Sequence, residues 1–153
     1  MKTILISMLM FVSTLTYSQW TVKSVNNGID NPYTIAYCSS IEKNKAIVKL
    51  ERVEDQVAFY IIGSYFCEDS PIVDIALIVN GESVKYQIIG SKSYDNTTIF
   101  LIDDLTIEDS SDFLSNFKKA SKLVIRVNET YCSSELYNFN MSGSTRAYET
   151  MSK

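Results

Sequence analysis

The 153-residue chain contains no histidine. That absence removes Ser-His-Asp and Cys-His catalysis, whose proton relay needs an imidazole, and every His-ligated zinc site. Cysteine is scarce: Cys38, Cys67 and Cys132 stand far apart, without the C-x-x-C spacing of a zinc or iron–sulfur site. G-x-G-x-x-G, G-x-S-x-G and the phosphate-binding P-loop are all missing. No catalytic motif and no cofactor are therefore expected. Glycine and proline are also few, at five and two, against ten tyrosines and seven phenylalanines. This is the composition of a packed domain and not of a disordered chain.

Basic patches are lacking as well. The formal charge is −4, and Lys and Arg are scattered along the chain. Without a basic stripe to neutralise phosphates, nucleic acid is not an expected partner. There is no basic amphipathic helix to lie on a membrane.

One apolar run is present, at the very start. Met1-Lys2 gives a short positive region, Thr3 to Leu15 carries no charge, and Thr16-Tyr17-Ser18 places small residues where a signal peptidase reads. The run is too short for about 30 Å of hydrocarbon, which takes roughly 20 apolar residues. Residues 1–18 thus read as a secretory signal cleaved between Ser18 and Gln19; a buried N-terminal helix or retained anchor is the alternative. No cysteine follows the run to take a lipid, and no later stretch is apolar and long enough to span. The expected product is residues 19–153, exported to the periplasm or beyond as one domain without stable membrane insertion. Such a compartment permits a disulfide. Three pairings of the cysteines are open. Cys67 with Cys132 is preferred, because both sit in turn-like segments beside expected strands, with Cys38 as the alternative partner.

The rest of the chain alternates with period two. Strands are expected at Trp20–Val25, Tyr33–Cys38, Ala46–Val53, Gln56–Ile62, Thr97–Ile102, Leu123–Val127 and Leu136–Met141. Asn26 to Pro32 has loop chemistry. Val73, Ile75, Leu77 and Val79 share one face, Asn80-Gly81 suits a type I′ turn, and Val84, Tyr86 and Ile88 return as a hairpin. One helix is expected after a cap at Ser110 or Ser111, with Asp112 near its positive end and Phe113, Leu114, Phe117 and Ala120 as its apolar stripe. Gly143 ends the last strand, and Ser144 to Met151 forms a short terminal helix. The expected fold is mostly β: an antiparallel β-sandwich or partly open barrel with one inserted helix and a short C-terminal helix.

Two groups of residues invite chemistry. Asp103, Asp104, Glu108 and Asp109 form an acidic run that could offer clustered oxygens to calcium. The EF-hand spacing and its central glycine are missing, and a solvated loop leading into a helix N-terminus accounts for the same residues. A pair of carboxylates acting as in a glycosidase is a further alternative. Tyr60, Tyr65, Tyr86, Tyr131 and Tyr137 lie in or beside strands, where aromatic residues favour the pleated surface. Packing is their expected role and ligand binding the alternative. Arg126, on a strand with Val124, Ile125 and Val127, is expected to face outward.

The C-terminal half also carries a resemblance. Ala120, Leu123, Arg126 and Val127 fit a helix-to-strand pattern A-x-x-L-x-(V/I)-R-V. Phe139, Met141, Gly143 and Ala147 fit a final F-x-L-x-G-x-x-x-A element, with Met141 at the leucine position. Trp20 near the mature start suits the same pattern. In these features the chain resembles exported β-sandwich proteins of the type VI secretion-associated VasI/TagO group and, more distantly, invasion-associated locus B proteins. The resemblance implies an accessory envelope protein without known catalysis. The sequence thus leads to an exported, non-enzymatic module that binds another protein. A secreted inhibitor or protective factor against a lysozyme or protease is one alternative, and a carboxylate-dependent hydrolase another.

Overall fold

A computed structural model describes residues 19–25, 33–42, 45–53, 56–102 and 107–151. In chain order the elements are β1 (Trp20–Val25), β2 (Tyr33–Ser39), β3 (Ile47–Val53), β4 (Gln56–Ile62), β5 (Ile72–Val79), β6 (Glu82–Ile89), β7 (Ser91–Lys92), β8 (Thr98–Ile102), α1 (Ile107–Lys119), β9 (Lys122–Asn128), β10 (Glu135–Asn140) and α2 (Ser144–Met151). They form a β-sandwich. Sheet A has the order β1-β2-β3-β4-β8-β7 and sheet B the order β10-β9-β5-β6. Every pairing is antiparallel.

Period-two sequence puts one face of each strand into the space between the sheets. Ala36, Cys38, Val48, Leu50, Phe59, Ile61 and Ile99 of sheet A meet Val73, Ile75, Leu77, Leu123, Ile125, Val127 and Phe139 of sheet B, all essentially buried. The β5–β6 hairpin turns at Asn80 and Gly81 with φ of 53° and 86°, the left-handed pair that a type I′ turn requires. The chain then crosses from sheet B to sheet A at Gly90. A Cβ there would sit 2.4 Å from Ile99 Cγ2, so no larger residue fits the crossing as it stands. Arg126 is exposed on the outer face of sheet B, as its place in the alternation requires.

Both helices add to this core. α1 brings Phe113 and Phe117 between the sheets. The Phe117 ring lies 5.5 Å from Trp20 of β1 and 5.7 Å from Phe59 of β4, while Phe113 lies 5.5 Å from Phe59 and 5.2 Å from Tyr86 of β6. α2 follows Gly143 (φ 90°) and packs on β1 and β2 through Ala147 and Met151.

Two expectations need correction. α1 starts at Ile107, so Ser110 and Ser111 lie inside it and do not cap it. Glu108 and Asp109 fall in its first turn, where negative charge favours an earlier start. The two-residue β7 was not expected; such a short segment carries no period of its own and is set by pairing with β8. Asn26 to Pro32, expected as a loop, lie outside the described residues.

Phe117 is fully buried against Trp20 and Phe59 of sheet A and Phe113 of its own helix, so Phe117→Ala is expected to cost about 3–5 kcal/mol through lost burial and the cavity left behind. Urea unfolding followed by tryptophan fluorescence, with Tyr94→Ala as an exposed control within about 0.5 kcal/mol of wild type, checks it.

Candidate functional site

Three connections meet at one end of the sandwich: residues 63–71 between β4 and β5, the β7–β8 turn around residues 93–97, and residues 129–134 between β9 and β10. Cys67 and Cys132 join the first to the third by a disulfide. Cys38, the alternative partner, is a fully buried core residue of β2.

Charged side chains reinforce that crosslink. Glu129 is buried, and its carboxylate accepts the backbone N–H groups of Cys67 at 2.5 Å and Glu68 at 3.1 Å. In return, Glu68 accepts the backbone N–H of Thr130. Lys92 donates to the Cys67 carbonyl at 3.1 Å and pairs with Asp69 at 3.1 Å. The Phe66 N–H donates to the Asn96 carbonyl and the Gly63 N–H to the Thr97 carbonyl, both at 2.8 Å, tying the first loop to the second. Asp95 stiffens the second loop by accepting the Ser93 hydroxyl and the Thr97 N–H. These segments have little regular structure, yet most of their polar groups named here are held by specific partners.

On this fastened frame stand three exposed tyrosines, one per connection: Tyr65 at 60 % exposure, Tyr131 at 88 % and Tyr94 fully exposed. Among the described residues no aromatic ring or cation stacks on any of them. Ile72 and Ile89, paired across β5 and β6 at the same end, are also exposed. Single exposed apolar residues are ordinary; several at one end point to a contact surface.

Packing therefore accounts for only part of the expected tyrosine set. Tyr60 and Tyr137 are buried and Tyr86 is half-buried, whereas Tyr65 and Tyr131 project into solvent. Tyr94 was missed altogether. Its signal was its place in a Ser-Tyr-Asp-Asn turn, where no strand face exists to bury it.

Two clefts open on the outer faces of the sheets. One of about 520 Å³ on sheet A is lined by Lys49, Glu51, Tyr60, Phe100, Ser93 and Asp95 among others. In it the Tyr60 hydroxyl donates to Glu51, which also pairs with Lys49 at 2.9 Å. Burial, then the Glu51 carboxylate, push the Tyr60 phenol upward. Burial acts to raise Glu51 too, but the Tyr60 hydroxyl and Lys49 hold it below its ordinary range. The other cleft, about 550 Å³ on sheet B, includes Asp74, Lys85, Gln87, Arg126 and Leu136. Asp74 accepts Gln87 and Asn128, both at 2.8 Å. In each cleft the central carboxylate already has internal partners, which makes the tyrosine-bearing end the stronger candidate.

The acidic run is not assembled into a site here. Asp103 and Asp104 lie outside the described residues; Glu108 and Asp109 lie in the first turn of α1, and their side chains are likewise outside them. Among the described residues no group of three or more His, Cys, Asp or Glu could hold a metal ion. Asp112 accepts the Tyr86 hydroxyl at 3.1 Å. The Ser18–Gln19 junction falls at the edge of the described chain, with Ser18 outside it. No helix among the described residues is long and apolar enough to cross a membrane.

Comparison with protein-family models, curated proteins and solved structures gives no match.

Removing the crosslink with Cys67→Ser and Cys132→Ser releases a closure of sequence separation 65. Stability should fall by about 4 kcal/mol on the chain-entropy model, read by urea unfolding without reductant. Acid should loosen the same end. Hydrogen bonds from Thr130 hold Glu68 below its ordinary 4.5, and Ser93 and Thr97 hold Asp95 below its ordinary 3.8. Carboxyls depressed in the folded state stabilise it fully above their unfolded values, and that contribution is lost as pH falls through the folded ones. Amide protection factors of Thr130 and Thr97 are therefore expected to stay flat from about pH 8 to 5 and to drop below about pH 4; a drop between pH 7 and 5 would contradict the assignment.

Proposed function

We propose that this chain is an exported, non-enzymatic interaction module that binds another protein through its disulfide-tied end. The observation that carries the reading is the presentation of Tyr65, Tyr94 and Tyr131 on loops fixed in advance by Cys67–Cys132, Glu129, Glu68 and Lys92. Tyrosine offers large contact area for the loss of few rotatable bonds. A frame already ordered avoids much of the entropy cost of association. A disulfide suits the oxidising compartment that residues 1–18 suggest. The likeness to accessory envelope proteins fits the same role, resting on the packing residues that carry it.

A second reading, an inhibitor or protective factor against a lysozyme or protease, draws on the same rigidity. A loop that blocks an enzyme must hold its shape before the enzyme arrives. Assays of such hydrolases for lost activity in the presence of the chain separate the two.

The direct test is crosslinking capture of the tagged chain from the envelope of its own organism, beside a Tyr65→Ala, Tyr94→Ala, Tyr131→Ala variant. One stoichiometric partner, captured by wild type and depleted about tenfold or more with the variant, is the expected result, since aromatic anchors typically contribute 2 kcal/mol or more to an interface, roughly thirtyfold in affinity. Equal capture by the variant, or a turnover activity needing one acidic side chain, would refute the proposal.

A further inference from the structure

We infer that the partner held at the tyrosine-bearing end presents a Lys- and Arg-rich surface; this rests on the protein-binding reading above. Charge is unevenly placed along the chain. Segments 63–71, 90–97 and 129–135 contain the carboxylates Glu68, Asp69, Asp95, Glu129 and Glu135 and a single basic residue, Lys92. Their acidic excess equals the −4 of the complete chain; without Lys2, which lies in residues 1–18, the rest of the exported chain has only one carboxylate more than its basic residues. The one ammonium is already engaged, by Asp69 and by the Cys67 carbonyl.

The neighbouring β2–β3 connection adds Lys45 at the flank, where it lines a separate cleft of about 230 Å³ with Ser64, Glu135 and Tyr137. Its Glu42 carboxylate is turned to Asn138 of β10. Lys45 shares that cleft with Glu135 and does not line the connections that carry Glu68, Asp69 and Asp95.

The aromatic chemistry points the same way. A tyrosine face attracts ammonium and guanidinium groups through its quadrupole. Each exposed ring here is close in sequence to a carboxylate in its own or a linked loop: Tyr94 is next to Asp95, Tyr65 shares its connection with Glu68 and Asp69, and Tyr131 follows Thr130, whose N–H is held by Glu68. These carboxylates use some of their oxygens in backbone bonds but keep their negative charge, and Asp95 and Glu68 are held ionised by those same bonds. Rings that take cations, set among carboxylates that attract them, match a basic protein surface and repel an acidic one.

The test uses the full chain, exported and with its disulfide formed, against three immobilised peptides of equal length: Arg/Lys-rich, Asp/Glu-rich and Ser/Gly-only. Binding is measured at low and high salt for wild type, for the three-tyrosine alanine variant, and for Asp69→Asn with Glu135→Gln, each first shown to melt like wild type. The expected result is binding to the basic peptide alone, weakened about tenfold by salt and at least as much by the tyrosine variant, with a smaller loss from the charge-neutral pair. Equal binding to all three peptides, binding to none, or basic-peptide binding that the tyrosine variant leaves intact overturns the inference. Envelope capture keeps the two failures apart. A tyrosine-dependent partner whose contact surface is acidic or neutral leaves protein binding standing and removes the basic-partner assignment.

Discussion

Six strands in one sheet cannot be covered by four in the other, and much of this molecule follows from that mismatch. Strands lie about 4.8 Å apart, so two uncovered strands expose a strip roughly as wide as one helix with its side chains. α2 lies over β1 and β2, and α1 drives Phe113 and Phe117 between the sheets to meet Phe59, Trp20 and Tyr86. Both helices are thereby committed to the core. In the β4–β5, β7–β8 and β9–β10 connections, order among the described residues comes from side-chain and backbone contacts between the loops themselves.

That chemistry divides the work among three kinds of interaction. The disulfide limits how far residues 67 and 132 can separate. Glu129 supplies direction: a buried carboxylate is costly unless its charge is met, and here two backbone N–H groups meet it. Glu68 returns the contact from the opposite loop, so each side of the disulfide carries an acceptor for the other's backbone. The Lys49–Glu51–Tyr60 cluster on sheet A has comparable chemistry but the reverse consequence. There the charged groups and the ring satisfy one another, since Lys49 sits 4.7 Å from the Tyr60 ring centre and little is left for a ligand. At the loop end the carboxylates spend themselves on backbone, and the rings remain in solvent.

How much of this could be read in the sequence depended on the range of the interaction. The hairpin at Asn80-Gly81 and the helix after Gly143 depend on residues a few positions apart, and both stand where local pattern placed them. The sandwich itself follows from period-two alternation. Serine as a good cap points to a late start for α1, whereas the helix begins at Ile107, and the acidic residues ahead of the serines also favour a first turn. The clamp between Glu129 and residues 67–68 spans 61–62 positions and leaves no trace in any local period. Strand propensity makes Tyr65 and Tyr131 look like packing residues because it describes a residue type and not its burial; Phe66, next to Tyr65, takes the buried position instead, and Cys132, next to Tyr131, is exposed but tied by the disulfide.

The third cysteine shows why the pairing is single although the sequence left three open. Cys38 shares the inward face of β2 with Ala36, and its Sγ lies 3.6 Å from the Asn140 carbonyl. Burial pushes its thiol up to about 11. Thiol–disulfide exchange needs the thiolate, and at neutral pH a thiol with that value is ionised in on the order of one molecule in ten thousand. Once β2 has paired with β1 and β3, Cys38 is both out of reach and chemically quiet, whereas Cys67 and Cys132 lie on loops held together by Glu129 and Glu68. Packing of sheet A thus keeps Cys38 apart from the loops that carry the crosslink. Cys67 and Cys132 stand 6.3 Å apart between Cα atoms, inside the range a disulfide spans, and the loop clamp holds the same two segments together.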